Sequence, residues 1–351
     1  MHKHSQIQFS ENFKNNLIFH LSHSVKITYS LYMAYELDLF KIISDKKIIS
    51  LLEICELTGL CERSAQALIS MCASMGLIDI DNAQCFRLSN LSQNFLDPQS
   101  PYYIGPLLSI HLENKGVILS YQAFQKAILT GKPQIYEGND LFKTNEVELD
   151  KNIKFTKAMH AKSLAAAEFW PCVIDLSASS LFLDIGGGSG VHSIAAVKKW
   201  PHLKAIVFDR PEVCAIAAEY IEKEKLALQI SLLAKNMWDD PYPKADVHFL
   251  CDILHDWPRN DVEFLIKKSF ASLSDDGQIV ILELLFDEKK DGPLSVSMSN
   301  LSMLMWSSGQ QLSKNELHNL LEKSGFTKIE IFKIGFGDWS VAIAKKSLHK
   351  Y

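Results

Sequence analysis

Residues 13–45 carry apolar side chains at helical spacing (Leu17, Ile18, Leu21, Val25, Ile27, Leu31, Ala34, Leu37 and Phe40), which predicts helix there. The run is too apolar all round to lie alone on a surface, so it is expected to pack against a partner. Beyond it, "IISLLEICELTGLCERSAQALISMCASMG" reads as short helices, with Ser50 or Thr58 as candidate caps and Gly76 closing the third. The following "LIDIDNAQCFRLS" alternates apolar and polar positions and predicts a hairpin turning around Asp81 and Asn82. Three short helices and a hairpin make a winged-helix pattern. Residues 101–170 read as further helix, clearest over "FTKAMHAKSLAAAEFW".

After "PCVIDLSASS" the rhythm changes to short apolar runs alternating with helices. Strands are expected at Leu181–Ile185, Ala205–Phe208, Leu228–Leu232, Val247–Cys251, Gln278–Leu285, Lys328–Phe332 and Trp339–Ala344. That alternation predicts an α/β class with a doubly wound, seven-stranded sheet, helices on both faces and ligands at the carboxyl ends of the strands. The expected organisation is a mainly helical, winged-helix-like domain over residues 1–100 and a sheet domain over residues 101–351, entered through a helical linker at 101–175.

Composition changes this picture little. With 351 residues, 47% hydrophobic and 22% charged, the chain falls in the ordinary globular class. A formal net charge of −5 gives no overall attraction for nucleic acid or an anionic membrane. The third helix offers only Arg63 and Gln66 where a reader of the major groove would present polar side chains, so packing or dimerisation fits it better than DNA. A DNA-binding regulator is the competing reading, and it predicts salt-sensitive binding. No run approaches the roughly 18 apolar residues of a membrane span, and the first residues lack the apolar core of a signal peptide, so a cytoplasmic location is expected. The seven cysteines are scattered, without a C-x-x-C pair, and are expected to be free thiols.

The candidate chemistry begins at "LFLDIGGGSGVHSI". Gly186, Gly188 and Gly190 follow a strand and open a helix, where bare backbone can approach a ligand and free N–H groups point outward. Nicotinamide enzymes use a similar loop, but in the order G-x-G-x-x-G, whereas the order here is G-x-G-x-G with Asp184 ahead of it. A carboxylate under the loop repels a pyrophosphate and attracts a cation. S-adenosylmethionine, with a sulfonium, an ammonium and no phosphate, suits that charge. Asp209, ending the second strand in "IVFDRPEV", is placed to accept two ribose hydroxyls, or else to cap the next helix. Asn236 and Met237 in "AKNMWDD" follow the third strand, where an adenine can be held by its amino group and one face.

"LFLDIGGGSGVHSIAAVKKWPHLKAIVFDRPEV", "CDILHDWPRND" and "GQIVILELLFDE" together resemble the small-molecule O-methyltransferase family of the caffeate and hydroxyindole type, with its bacterial natural-product branch. The resemblance covers nearly the whole chain. It implies a homodimer, a Rossmann-like sheet domain binding S-adenosylmethionine, and a small, aromatic acceptor. It further implies that His255 is the general base and Glu283 the carboxylate that orients it, while Asp256 and Trp257 fix the turn and pack. Across the rest of the chain, including "FTKAMHAKS", it places Arg210 and Trp238 beside the cofactor, with Ser163, and Met159, His160, Met303, Met305, Trp306 and Gln311 toward the acceptor; His160 could instead assist proton removal, and Phe155 is placed to stack on the cofactor.

A base of pKa about 6.5 facing a phenol of about 10 is mismatched by roughly 5 kcal/mol, whereas an alkyl alcohol would cost about 12 kcal/mol, so a phenolic or enolic hydroxyl is expected. Two departures from the family pattern stand out. Gln311 replaces a second glutamate, which keeps a cofactor-binding role without methyl transfer as an alternative; N-methylation of an aromatic amine is a nearer variant. Cys251 stands where some members bind the cofactor carboxylate with a basic residue, leaving Ser163 and loop backbone for that contact. No cluster of His, Cys or carboxylates in the sequence argues for a metal.

Overall fold

The structure, a computed structural model, describes residues 17–135 and 149–346. The chain divides into two compact units, with the division between Leu108 and Ser109. No helix among the described residues is long and apolar enough to cross a membrane.

The first unit holds helices α1 (Leu17–Glu36), α2 (Leu39–Lys46), α3 (Leu51–Thr58) and α4 (Glu62–Ser74), then strands β1 (Ile78–Ile80) and β2 (Phe86–Leu88) and helix α5 (Asn90–Phe95). Ser50 starts α3 through a reciprocal capping box with Glu53, satisfying two donors that a helix end leaves open. Thr58 is not a cap: it lies in the last turn of α3, where its hydroxyl donates to the Ile54 carbonyl. The hairpin forms in the register Ile78↔Leu88 and Ile80↔Phe86. Asp81 closes its turn by accepting from the Ala83 and Cys85 N–H groups.

Helices α6 (Gly105–Glu113), α7 (Lys115–Ile118), α8 (Tyr121–Thr130) and α9 (Leu149–Phe169) precede the sheet of the second unit. The sheet elements are β3 (Leu181–Ile185), α10 (Val191–Lys199), β4 (Lys204–Asp209), α11 (Pro211–Lys223), β5 (Ile230–Ala234), β6 (Val247–Cys251), α12 (Arg259–Ser272), β7 (Gln278–Leu284), α13 (Leu294–Trp306), α14 (Lys314–Lys323), β8 (Thr327–Lys333) and β9 (Trp339–Lys345). The seven strands run in the order β5-β4-β3-β6-β7-β9-β8. All neighbours are parallel except β9, which inserts antiparallel between β7 and β8. One expected strand shifts: β5 starts at Ile230, because Leu228 is an exposed turn residue (93%) rather than a core position.

The inner strands β3, β6 and β7 are buried almost continuously, as strands covered on both faces must be. Leu183 and Ile185 face one apolar layer with α12 and α14, while Phe182 faces another containing Trp170, Trp200 and Phe249. Asp184 shares the face of Phe182 by the two-residue period of a strand. Because β4 and β5 build outward on one side of β3 and β6 and β7 on the other, the strand order reverses between β3 and β6. That switch point opens a crevice at the carboxyl ends of both strands.

Candidate active site

The crevice is bounded by two loops, one leaving β3 and the other leaving β6. In the first, Gly186 has φ +67°, and a Cβ there would lie 2.4 Å from Ile253 Cδ1 in the second loop. Gly187, which sequence reasoning passed over, lies directly above Asp184: a Cβ on it would come within 2.8 Å of the Asp184 carboxyl carbon. Gly188 and Gly190 also hold positive φ, and Gly190 leads into α10.

Asp184 is buried under the loop, its Oδ2 accepting from the Ser193 hydroxyl at 2.7 Å. Burial pushes its pKa up to about 7. Asp209 accepts from Gly188 N–H through Oδ2 at 2.8 Å and from Arg210 N–H through Oδ1 at 2.7 Å, tying β4 to the glycine loop. Asp209 stands one residue ahead of the α11 N-cap, Arg210, which makes no side-chain cap bond and is followed by Pro211. Each Asp209 oxygen keeps a further lone pair for a hydroxyl. Burial raises its pKa, so a hydrogen-bonded cationic ligand is the partner that would favour the ionised form. Arg210 reaches the buried Asn152 at 3.3 Å and Glu212 at 3.4 Å.

His160 sits against the glycine loop. Its Nδ1 lies 2.8 Å from Ser189 Oγ in the glycine loop, and its ring stacks on Tyr220 of α11 at 3.9 Å. Burial holds it neutral, with a pKa down to about 4. Asn236 closes its own turn: its amide donates to Asp239 and its oxygen accepts from Trp238 N–H. Met237 packs against the apolar layer beneath, and Trp238 meets Trp257 edge-on at 4.6 Å. Ser163 is buried on α9.

The second loop makes a single 3₁₀ turn, Leu254–Asp256. His255 Nδ1 lies 2.6 Å from Glu283 Oε2 on β7, and Glu283 Oε1 accepts the backbone N–H groups of Ile253 and Leu254. The carboxylate thereby fixes both the ring and the turn that carries it. Both side chains are almost wholly buried. Desolvation works against a charged imidazole here. The charges of Glu283, Asp256 and Asp252 outweigh it and raise the His255 pKa to about 9.

Trp257 is buried and packs, but Asp256 does more than fix the turn: its Oδ1 lies 3.6 Å from His255 Nε2. Burial pushes its pKa up to about 7. Gly309 abuts the same turn, where a Cβ would sit 2.1 Å from the His255 carbonyl oxygen. Two residues on, Gln311 is buried with its Nε2 donating to Ser299, its N–H to Asn300, and its Oε1 without a hydrogen bond.

Met159 is partly buried on α9. Met303 accepts a weak bond from the Ser307 hydroxyl, whereas Met305 and Trp306 pack with Ala127 and Ile135 in an apolar cluster of their own. Cys251 ends β6, and burial raises its thiol pKa far above the usual range, so it is neutral. A cation does stand nearby: Lys162 of α9, unmarked by any motif, lies 2.7 Å from Asp252. The expectation that no ligand cluster is present needs correction. Asp252, His255 and Glu283 each bring one donor atom within 4.8 Å of the others. These donors are already engaged, by the Lys162 ammonium on Asp252 and by the imidazole and two backbone N–H groups on Glu283, which makes the cluster a buried ion-pair network.

Residues 121–327 match the O-methyltransferase domain family. The human "Probable bifunctional dTTP/UTP pyrophosphatase/methyltransferase protein" is 25% identical over 311 residues, covering 87% of this chain, which spans only half of that relative's length. Human acetylserotonin O-methyltransferase is 25% identical over 335 residues, 93% of this chain and 96% of that one. The crystal structure of human N-acetylserotonin methyltransferase in complex with SAM superposes with a TM-score of 0.85 over 99% of this chain and 100% of that chain, at 23% identity. By its sequence match over more than half its length and by a fold that agrees, this chain is a member of the O-methyltransferase domain family.

Proposed function

We propose that the protein transfers a methyl group from S-adenosylmethionine to a phenolic or enolic hydroxyl of a small molecule, with His255 as the general base. The observation that carries this reading is the buried His255–Glu283 dyad, set across the switch-point crevice from a glycine loop with a carboxylate beneath it. Bound S-adenosylmethionine supplies an activated methyl group carried on a sulfonium. The residues fit it: Gly187 leaves room over Asp184, whose carboxylate favours a positive ligand, and Asp209 has acceptors left for two hydroxyls. Met237 and Trp238 would flank the adenine. Family membership favours oxygen as the acceptor over nitrogen or a non-transferring relative.

Glu283 occupies Nδ1, which leaves His255 Nε2 as the nitrogen that takes the acceptor's proton. The same carboxylate stabilises the imidazolium that results, and both of its oxygens are already held, so little reorganises as charge develops. With His255 near 9, the mismatch with a phenol of about 10 shrinks to roughly 1.4 kcal/mol. The opposing effect is that only about one imidazole in a hundred is neutral at pH 7. Because the active form is the deprotonated one, the rate is expected to rise about tenfold per pH unit from pH 7 and level off near pH 9. A rate that is flat from pH 6 to 8 would contradict that assignment.

The activity is tested by incubating the protein with methyl-labelled cofactor and a panel of phenols. Label on an acceptor oxygen is the expected result; tight cofactor binding with no label on any oxygen would overturn the reading.

We also infer that the partner is a second copy of this chain, docking through the first unit. The support is α1, which exposes Ile18 (77%), Phe19 (62%) and Leu21 (57%) in one stretch. Apolar side chains so exposed, on a helix of this length, mark an interaction surface. In light scattering the wild type is expected at the mass of two chains and Phe19→Asp/Leu21→Asp at the mass of one. A wild-type monomer would refute the dimer.

A further inference from the structure

Lys162 reaches from α9 to the carboxyl end of β6, where its ammonium lies 2.7 Å from Asp252 Oδ2. The other oxygen of Asp252 lies 3.7 Å from His255 Nδ1, the nitrogen that bonds Glu283. A chain of alternating charges therefore runs from Lys162 through Asp252 to the dyad. Asp252 is held there by a backbone φ of +53°, a region that non-glycine residues enter only when their surroundings dictate it. The two side chains are 26% and 13% exposed. Burying an ion pair costs more desolvation than filling the same space with apolar side chains, so the charges themselves require a role.

We propose that Lys162 and Asp252 form a positioning pair that sets how readily the imidazole of His255 holds a proton. The proposal rests on the reading of His255 as the general base. Alone beside Nδ1, Asp252 would stabilise the imidazolium and leave less neutral imidazole to accept a proton; Lys162 offsets that charge. The other groups facing the imidazole do not duplicate this. Glu283 from β7 and Asp256 from the same turn both favour the charged ring. Gly309 contributes backbone only. Around the pair itself, Cys251 is neutral, and His192 of α10 is held neutral by burial, at about 4. Asp184 of β3 lies under the glycine loop, where it accepts from the Ser193 hydroxyl. Lys162 is thus the cation that balances this group of acids.

The test is an NMR titration of His255 in the full-length, ligand-free protein labelled at histidine, with its resonance assigned from His255→Asn. Asp252→Asn is expected to lower the midpoint by about one pH unit or more, a tenfold change in proton affinity. Lys162→Gln is expected to raise it by a similar amount, and the double variant to return close to the wild type. The pH profile of methyl transfer should move in the same directions. A merely structural pair would weaken the fold without moving the midpoint, so single variants within about 0.3 pH unit of the wild type would overturn the proposal. Should Asp252→Asn fail to fold, Lys162→Gln carries the test, since its amide can still donate to Asp252. The titration needs no turnover, so a protein that transfers no methyl group would defeat the functional reading while leaving this measurement decisive.

Discussion

Replacing His255 with asparagine is expected to lower the rate of methyl transfer by about 10²–10⁴-fold, the range spanned by a positioned general base. Asparagine keeps a polar side chain in the space but has no nitrogen that can accept the acceptor's proton. Affinity for S-adenosylmethionine should stay within about threefold, because the glycine loop and Asp209 are untouched, and calorimetry on the same preparation checks this. Glu283→Gln should do less. Its amide can still hold Nδ1, but without the charge the imidazole becomes less basic, and the rise of rate with pH should level off at a lower pH. Full-rate transfer by His255→Asn would end the general-base assignment.

The second large effect is expected at Asp209. Truncation to alanine removes the acceptors proposed for two ribose hydroxyls and also releases Gly188 N–H, which Asp209 now holds at 2.8 Å. A hydrogen bond to a charged acceptor contributes about 1.5–3 kcal/mol, so the loss should weaken S-adenosylmethionine binding roughly a hundredfold or more. Because the loop is tethered by the same carboxylate, Asp209→Asn should be milder: one amide oxygen can still accept. Calorimetric titration of both variants reads the difference. Equal affinity in wild type and Asp209→Ala would place the ribose elsewhere.

Much of the fold was legible because its signals are local. The short apolar runs of β3, β6 and β7, the glycines after β3 and the alternating hairpin at Asp81 are each contained within about a dozen residues. So was the pairing of an acid-bearing glycine loop with a histidine just after the fourth strand of the sheet. What the sequence could not display is contact between distant segments. Lys162 and Asp252 lie 90 positions apart, and nothing in either segment announces their pairing, yet they end 2.7 Å from each other. The resemblance put His160 in a segment facing the acceptor, but its contact with Ser189 of the glycine loop joins residues 29 positions apart and no local pattern displays it. Asp256 likewise reads as a turn residue until the 3₁₀ turn brings its carboxylate to Nε2. The apparent strand start at Leu228 failed for a different reason: an apolar residue at a turn imitates a core position when burial is inferred from hydropathy.

The antiparallel strand β9 has a consequence for how the enzyme is made. It is the last strand of the sheet to be synthesised, yet it lies in the interior of the sheet, with Ser340 registered opposite Glu283. Until residues 339–345 have emerged from the ribosome, β7 has an open edge and the carboxylate that steers His255 is bordered by nothing on that side. A chain ending before residue 339 would hold every residue proposed for proton transfer and still leave the β7 edge beside Glu283 unpaired.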